Sequence, residues 1–397
     1  MRLTPALLPL ALLLAAAPLP AQRIRLPVKL AELEQRVKVD SNDAAAHYNV
    51  ALGYWNEKRF DDAERALKMA VTIEPRFAPA HLALAYLPFA RRPKLWNEIW
   101  DNAVPEDQVP LLKRADSEYR HAFLIDPLVD LKILAVATPP KPNFVDVNNY
   151  YGEIWALYFQ GFADCQEGKY EDCHGRFAAL IREIDGDRFG ERIPASVHWY
   201  KGIAAAHVGK NDIAERHFRI LLALGDEEVK ERERKGDLTR VPLQANEFRY
   251  TLATILQAAG RTSEAIAMFK EVLNNDVGFY MANVRLANIY EAARDYPRAV
   301  QERLNAVNVN PDDASLLTDL GVTLGKAGMM PQAETRLQAT ADANPRDTRS
   351  LYWLGVAQQE LGKTAEARAA FTRFVELAPS RYQPQVALAK DRLARLQ

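Results

Sequence analysis

Small residues recur every 34 residues between Asn246 and Arg381, among apolar residues that follow a helical spacing. Leu316, Leu320 and Leu324, for example, lie at the four-residue steps of an amphipathic helix. The recurring series are Ala265, Ala299, Ala333 and Ala367, then Ala253, Ala287, Gly321 and Gly355, then Pro311, Pro345 and Pro379. Chance in an alanine-rich chain does not explain three series in one register, so the pattern predicts repeated pairs of helices.

The repeat Thr348–Arg381 shows what each recurring position does. From the first helix through the turn to the end of the second helix, these positions are Leu354, Gly355, Gly362, Ala367, Phe371 and Pro379. Antiparallel helices about 8–10 Å apart need small side chains where they cross, and proline cannot continue a helix. In this order of small, turn, small, aromatic and proline positions, the chain resembles the tetratricopeptide repeat family.

The resemblance implies an all-α fold with little or no sheet. The expected architecture is a right-handed superhelical solenoid of antiparallel helix hairpins, in which the first helix of each repeat lines the concave face. The 34-residue register predicts hairpin turns near Lys58, Gly168, Gly209, Gly260, Arg294, Gly328 and Gly362. These turn positions are the sharpest structural expectation that the sequence supports.

The register and its interruptions divide the chain into five predicted regions. They are a signal peptide over 1–21, a lead-in helix over 22–43, irregular repeats over 44–245, four regular repeats over 246–381, and a C-terminal capping helix over 382–397. The irregular repeats carry insertions near 89–109, 128–151 and 225–243. A capping helix is expected because a repeat array must cover its last apolar face.

The first 21 residues read as an export signal. Arg2 provides a positive start, Ala6–Ala17 is an apolar run, and the small residue Ala21 precedes a polar glutamine. A retained membrane anchor is the alternative, but the apolar run is short against the ~20 residues that a spanning helix needs. We therefore expect export from a bacterial-type cell, a periplasmic or secreted protein, and no stable membrane insertion after cleavage.

Net charge bears on whether nucleic acid is a partner, and the two cysteines raise the question of a disulfide. The net charge is −1, which gives no global field to attract nucleic acid, so none is expected as a partner. Cys165 and Cys173 are the two cysteines of the sequence, at positions twelve and twenty of one repeat. Helix stretches facing each other across a turn, in an oxidising compartment, favour a disulfide. The alternative is a pair of small buried apolar residues.

No catalytic, cofactor or metal motif is predicted. Gly362-Lys363-Thr364 resembles the end of a phosphate-binding loop, but alanine stands at the position of the loop's first glycine. His174 next to Cys173 could offer metal ligands with Cys165, yet a fourth ligand is missing. We expect no cofactor and no metal.

The concave face implied by the resemblance supplies the candidate partner-binding residues. Positions five and nine of the first helices are rich in aromatic and bulky apolar residues in the N-terminal half. The predicted contact residues are Tyr48, Leu52, Tyr86, Tyr158, Phe162, Trp199, Ile203 and Tyr250. Large rings dominate interface energies, but the same rings could instead fill the core between repeats. Trp96 and Trp100 would share a helix face and either anchor the first insertion or contact a partner.

Taken together, these patterns predict a non-catalytic scaffold that binds a peptide segment or a partner protein. A sharper version is an assembly or secretion factor of the cell envelope. An alternative of another class is an enzyme whose site is built by the insertions, where Asp101, Glu106, Asp107 and Asp146 are the available carboxylates. The identity of the partner is not encoded in any of these patterns.

Overall fold

A computed structural model describes residues 28–100, 103–129, 157–158, 160–165, 168–186, 193, 195–235 and 243–396. The described residues form helices and connecting loops, without a strand among them, which confirms the predicted all-α fold. In chain order the helices are α1 Leu30–Val39, α2 Ala44–Asn56, α3 Phe60–Ile73, α4 Ala78–Arg91, α5 Leu95–Trp100, α6 Val109–Ile125, α7 Tyr170–Gly186, α8 Ala195–His207, α9 Asn211–Arg234, α10 Leu243–Ala258, α11 Thr262–Asn275, α12 Tyr280–Ala292, α13 Tyr296–Val309, α14 Ala314–Lys326, α15 Met330–Ala343, α16 Thr348–Glu360, α17 Thr364–Leu377 and α18 Gln383–Arg395.

The described residues fall into two compact units. Unit 1 lies within His81–Asn275, whereas unit 2 combines residues of Leu26–Ala80 with residues of Asp276–Gln397. Unit 2 therefore consists of two segments that are distant in sequence. We call residues 28–80 the N-terminal segment and residues 276–396 the C-terminal segment.

All seven predicted turns occur where the register placed them. Five are glycines and two are Lys58 and Arg294, and all seven have a left-handed φ between 59° and 79°. Glycine is favoured in that region because it has no Cβ to clash with the backbone. The 34-residue spacing thus predicted the local conformation even where the turn residue is not glycine.

The small residues at the eighth position of a repeat permit close helix packing. A Cβ built on Gly321 of α14 would lie 2.6 Å from Cγ of Leu337 on α15, and one on Gly355 of α16 would lie 2.8 Å from the Phe371 ring on α17. Both distances are too short for a side chain to fit without a shift of its neighbour. The spacing of small residues in the sequence therefore marks the helix crossings.

The recurring prolines and aspartates set the helix boundaries. Helices α13, α15 and α17 end two residues before Pro311, Pro345 and Pro379. The following helices α14 and α16 begin after Asp313 and Asp347, whose carboxylates accept hydrogen bonds from backbone N–H groups of the first turn. Such caps satisfy donors that the helix itself leaves free.

Some of the predicted regions lie outside the described residues, and the structure describes others. Residues 1–27 and 130–156, which include the predicted signal and most of the second insertion, are outside, as are the side chains of Trp96 and Trp100. The first insertion contains α5 and a 3-10 turn at Glu106–Gln108. The charged run that begins the third insertion continues α9 as far as Arg234, and α18 stands where the capping helix was expected.

Candidate functional site

The predicted contact residues of unit 1 lie mostly inside the packed interior. Tyr86, Phe162, Ile203 and Tyr250 are at most 1% exposed and Tyr158 is 6% exposed. The Tyr250 hydroxyl donates a hydrogen bond to the backbone oxygen of Leu124 at 2.6 Å. This burial supports the alternative that these rings fill the core, and their contact with a partner stays a prediction.

Ring contacts join helices of unit 1 into one aromatic core. Phe162 meets Tyr200 edge-on at 4.7 Å between ring centroids, and Phe177 stacks on Tyr200 at 6.2 Å. Tyr158 meets Phe177 at 6.2 Å, and its hydroxyl lies 3.2 Å from the Ser196 hydroxyl. Aromatic pairs at such distances add to the energy of area burial, so these rings stabilise unit 1.

Trp199 of α8 differs from its neighbours because part of its side chain stays accessible. Its ring lies 5.3 Å from that of Phe218, 5.7 Å from Phe248 and 6.4 Å from Phe123. The indole Nε1 has no hydrogen-bond acceptor among the described residues. A buried N–H without an acceptor is unfavourable, so Trp199 combines a partly accessible ring with an unused donor.

The two predicted contact residues of unit 2 also differ in accessibility. Leu52 is 6% exposed, whereas Tyr48 is half-buried and packs edge-on against Phe77 at 5.5 Å. Nearby, a cleft of about 390 Å³ runs between α1 and α2. Its walls include Leu33, Arg36, Val39, Asp43, Asn49 and Ser380.

The two cysteines are joined in unit 1. Cys165 and Cys173 form a disulfide with their Cα atoms 5.1 Å apart, and both are fully buried. The bond closes the hairpin whose turn contains Gly168. Its presence in the purified protein remains a prediction.

A cluster of buried basic side chains lies beside the aromatic core, on α7, α8 and α9. His198 and His217 share a hydrogen bond with their Nδ1 atoms 2.8 Å apart, and Lys201 donates to the backbone oxygen of His174 at 3.1 Å. Burial, followed by the nearby cations, lowers the pKa of His217 to about 3 and the pKa of Lys201 to about 8. Both shifts favour the neutral forms, because an added charge here is poorly solvated.

A carboxyl group in the same unit is shifted in the opposite sense. Burial raises the pKa of Glu247 on α10 to about 7, with Arg120 opposing the shift and Asp116 adding to it. Asp116 pairs with Arg120 at 3.2 Å. The enzyme alternative needs carboxylates from the insertions. Of these, Glu106 and Asp107 lie among the described residues, on a 3-10 turn.

Unit 2 contains a buried ionic centre that the sequence analysis missed. We call it the Asp319 cluster: Asp319, Arg303, Arg349 and Arg76. The Asp319 side chain is 3% exposed and binds the guanidinium groups of Arg303 at 3.2 Å, Arg349 at 2.5 Å, and Arg76. Burial opposes the charge of Asp319, but the three cations hold its pKa well below the usual range.

The cluster continues along α12, α13 and α14 as a polar network. Arg303 donates to Asn288 at 2.7 Å and to Glu291 at 2.9 Å, and Lys326 donates to Glu291 at 2.7 Å. The sequence did contain a signal for it: Ala299, Arg303 and Ala306 are the buried residues of α13, so a cation lies on the apolar face of that helix. Buried cations need a paired anion, and that requirement could have pointed to Asp319.

Two negative observations apply to the described parts of the chain. They contain no group of three or more histidine, cysteine or acidic side chains arranged to hold a metal ion. A helix both long and apolar enough to cross a membrane is likewise missing from those parts.

The repeats of this chain are similar to those of known proteins. A profile described as tetratricopeptide repeat matches residues 250–314 and 318–382. The human protein O-mannosyl-transferase TMTC1 is 25% identical over 154 residues, which are 38% of this chain and 17% of that protein. The chain thus spans about a sixth of the length of this curated relative.

Three solved structures illustrate the structural likeness. The C-terminal part of a repeat-containing protein from Cytophaga hutchinsonii is 12% identical, with 61% of this chain and 87% of that chain covered and a TM-score of 0.47. A tetratricopeptide repeat protein from Parabacteroides merdae is 11% identical, with 79% and 98% covered and a TM-score of 0.39. A MamA double mutant, RS-1, is 20% identical, with 46% and 93% covered and a TM-score of 0.38.

Proposed function

We propose, from the premise that this chain belongs to the tetratricopeptide repeat family, that it is a non-catalytic scaffold that binds a segment of another protein. The match of residues 250–382 to the family carries this proposal, because proteins of this kind generally bind other proteins or peptides. Paired helices in a constant register present their first helices as a continuous surface, which suits an extended or helical partner segment.

Within unit 1, Trp199 is the best candidate for the centre of the contact. Its ring is partly accessible and its Nε1–H is unused, whereas the neighbouring predicted residues Phe162 and Tyr250 are buried. Tryptophan provides a large contact area at a low cost in conformational entropy, and it is enriched among binding hot spots.

Partner capture followed by a matched pair of substitutions tests this proposal. Partners are captured from native extracts with the full chain, identified by mass spectrometry, and remeasured against purified variants. Trp199→Ala should weaken binding by about 2 kcal/mol, roughly thirtyfold, and Trp199→Phe should weaken it less. Trp55→Phe is the control, since the Trp55 indole is 2% exposed and its Nε1 also lacks an acceptor among the described residues.

The outcome separates a contact residue from a core residue. Unchanged affinity in folded Trp199→Ala protein would show that the partner binds elsewhere. Lost stability without a change in the affinity of the folded fraction would assign Trp199 to the core.

We further propose that the chain acts in the cell envelope, as an assembly or secretion factor. The apolar sequence start with Arg2 and Ala21 motivates this location, and a buried disulfide suits an oxidising compartment. Cell fractionation with N-terminal mass analysis of the purified chain tests it: a mature terminus near Gln22 in the envelope fraction is expected, and an intact Met1 in the cytosol would contradict it.

A further inference from the structure

Among the described residues, the N-terminal segment of unit 2 reaches the Asp319 cluster through the side chain of Arg76. Arg76 lies on the loop between α3 and α4, and its guanidinium pairs with Asp319, 243 positions later in the sequence. The Arg76 side chain is 17% exposed, whereas that of Asp319 is 3% exposed. A group from one segment of the chain therefore enters a polar site that is otherwise built by the other segment.

The C-terminal segment can hold Asp319 without help from Arg76. Arg303 and Arg349 belong to that segment and remain bound to the two carboxylate oxygens. The carboxylates of Asp319 and Asp313 both favour the charged form of Arg76. The site therefore has a charge preference for a cation at the position of the Arg76 guanidinium.

Further polar contacts join the two segments. Arg381 pairs with Asp43 at 2.9 Å and with Glu74 at 2.8 Å. Asn344 donates to the backbone oxygen of Thr72 at 3.1 Å, and the Ser380 N–H donates to Asp40 at 2.8 Å.

By contrast, the apolar cluster around Leu337 and Phe371 is formed, among the described residues, by the C-terminal segment itself. Polar interfaces joined by ion pairs and hydrogen bonds are typical of contacts that open and close.

We infer that the Asp319 cluster of the C-terminal segment is a binding site for an arginine-bearing segment of a partner protein, and that residues 72–76 occupy this site until the partner displaces them. The inference rests on the proposed function as a peptide-binding scaffold and adds the chemistry of the partner. In the chain's own occupant, Glu74 binds Arg381 while Arg76 binds Asp319. The partner segment should therefore carry an acidic residue two positions before an arginine.

A peptide copying residues 70–80 is the probe, with blocked ends and a fluorescein label. It contains Thr72, Glu74 and Arg76, and binding is measured by fluorescence anisotropy against the full chain. The opened variant is Glu74→Gln with Arg76→Gln, which removes two anchors of the N-terminal segment and leaves the site in the C-terminal segment intact. The control is Glu64→Gln with Arg65→Gln, an equal change of charge on α3, where Glu64 pairs with Lys68 and Arg65 pairs with Asp62.

The opened variant should bind the peptide at least tenfold more tightly than the wild type or the control, because its own occupant no longer competes. A peptide with glutamine in place of the arginine should lose this affinity. Adding Asp319→Asn to the opened variant should abolish binding; if that protein does not fold, Arg381→Gln, whose side chain is 35% exposed in the wild type, replaces it and should weaken binding.

Three results would overturn the inference. The first is an equal affinity of the opened variant and the wild type for the peptide. The second is equal binding of the glutamine peptide and the arginine peptide. The third is dimerisation of the opened variant in light scattering, since the site would then receive a second copy of this chain. None of them bears on partner capture through Trp199, so failure of this inference is distinguishable from failure of the proposed function.

Discussion

Helices α8 and α14 have the same length and the same glycine position, yet they bury opposite chemistry. Each has 13 residues, with Gly202 or Gly321 as its eighth. The sixth residue of α8 is Tyr200, which packs in the aromatic core of unit 1, and the sixth residue of α14 is Asp319, which binds three guanidinium groups in unit 2. Tyr200 is 1% exposed and Asp319 is 2% exposed.

The difference shows that one repeat framework tolerates two kinds of interior. An aromatic interior gains from burial and needs no particular partner geometry. An ionic interior gains little net energy, because desolvation offsets attraction, but it is costly to break once one partner is removed. Unit 1 should therefore respond to loss of volume, and unit 2 to loss of charge.

Removal of the Tyr200 ring should give the largest effect. Tyr200→Ala should cost unit 1 about 4 kcal/mol, since a large cavity would replace a ring in contact with Phe162 and Phe177. Hydrogen exchange of unit 1 peptides under denaturant measures the loss within this unit. The control Tyr200→Phe keeps the ring and should lose far less; an equal loss would show that the hydroxyl, not the volume, matters.

Removal of the Asp319 carboxylate comes next. Asp319→Ala leaves the guanidinium groups of Arg303, Arg76 and the more exposed Arg349 without their shared anion and should cost unit 2 about 3 kcal/mol. The same exchange measurement applies to peptides of α14 and α16. Asp312→Ala, on the exposed loop before α14, is the control and should be nearly neutral. A neutral Asp319→Ala would mean that the arginines find water or other acceptors.

The disulfide should contribute a smaller amount. The cysteines are 8 positions apart, so the disulfide closes only a short loop, and its reduction should cost about 2 kcal/mol of unit 1 stability. Peptide mapping without reductant shows whether the bond is present, and unfolding of Cys165→Ala with Cys173→Ala measures its effect. Free thiols in protein from an oxidising compartment would reject the pairing.

Acid should destabilise unit 1 through His217, and between pH 6.5 and 5.5 this is the smallest of the four expected effects. The pKa of His217 falls from 6.5 to about 3 on folding, so the unfolded chain binds a proton that the folded chain does not. This contribution to stability is present above pH 6.5 and is lost as pH falls toward 3, by about 1 kcal/mol between pH 6.5 and 5.5. His217→Gln should remove this part of the pH dependence, whereas His47→Gln in unit 2 should not.

The sequence predicted the features that depend on neighbours along the chain. The turn at Arg294 and the helix end before Pro345 follow from spacing and backbone sterics, and both are where the register placed them. The sequence could not tell whether Tyr250 lies in a groove or in a core, because position five of a helix fixes only a direction. Packing against Phe123 and Phe269 decides it.

The Asp319 cluster could not be predicted from neighbouring residues in the sequence, for another reason. Its members Arg76 and Asp319 are separated by 243 positions, and neither belongs to a motif. A charged residue between the apolar positions Leu316 and Leu320 signals that an anion is buried, but not which cation will reach it. Arg303, on the apolar stripe of α13, likewise signals that a cation is buried there.

The split construction of unit 2 has a consequence for how the protein is made. Helices α1 to α3 leave the ribosome before their partners in this unit, which begin only at Asp276. At about 5–20 residues per second, the early helices wait roughly ten seconds to a minute for the late ones. During that interval Glu74 and Arg76 have been made but lack their partners Arg381 and Asp319, so the two segments of unit 2 can pair only after the C-terminal segment has been synthesised.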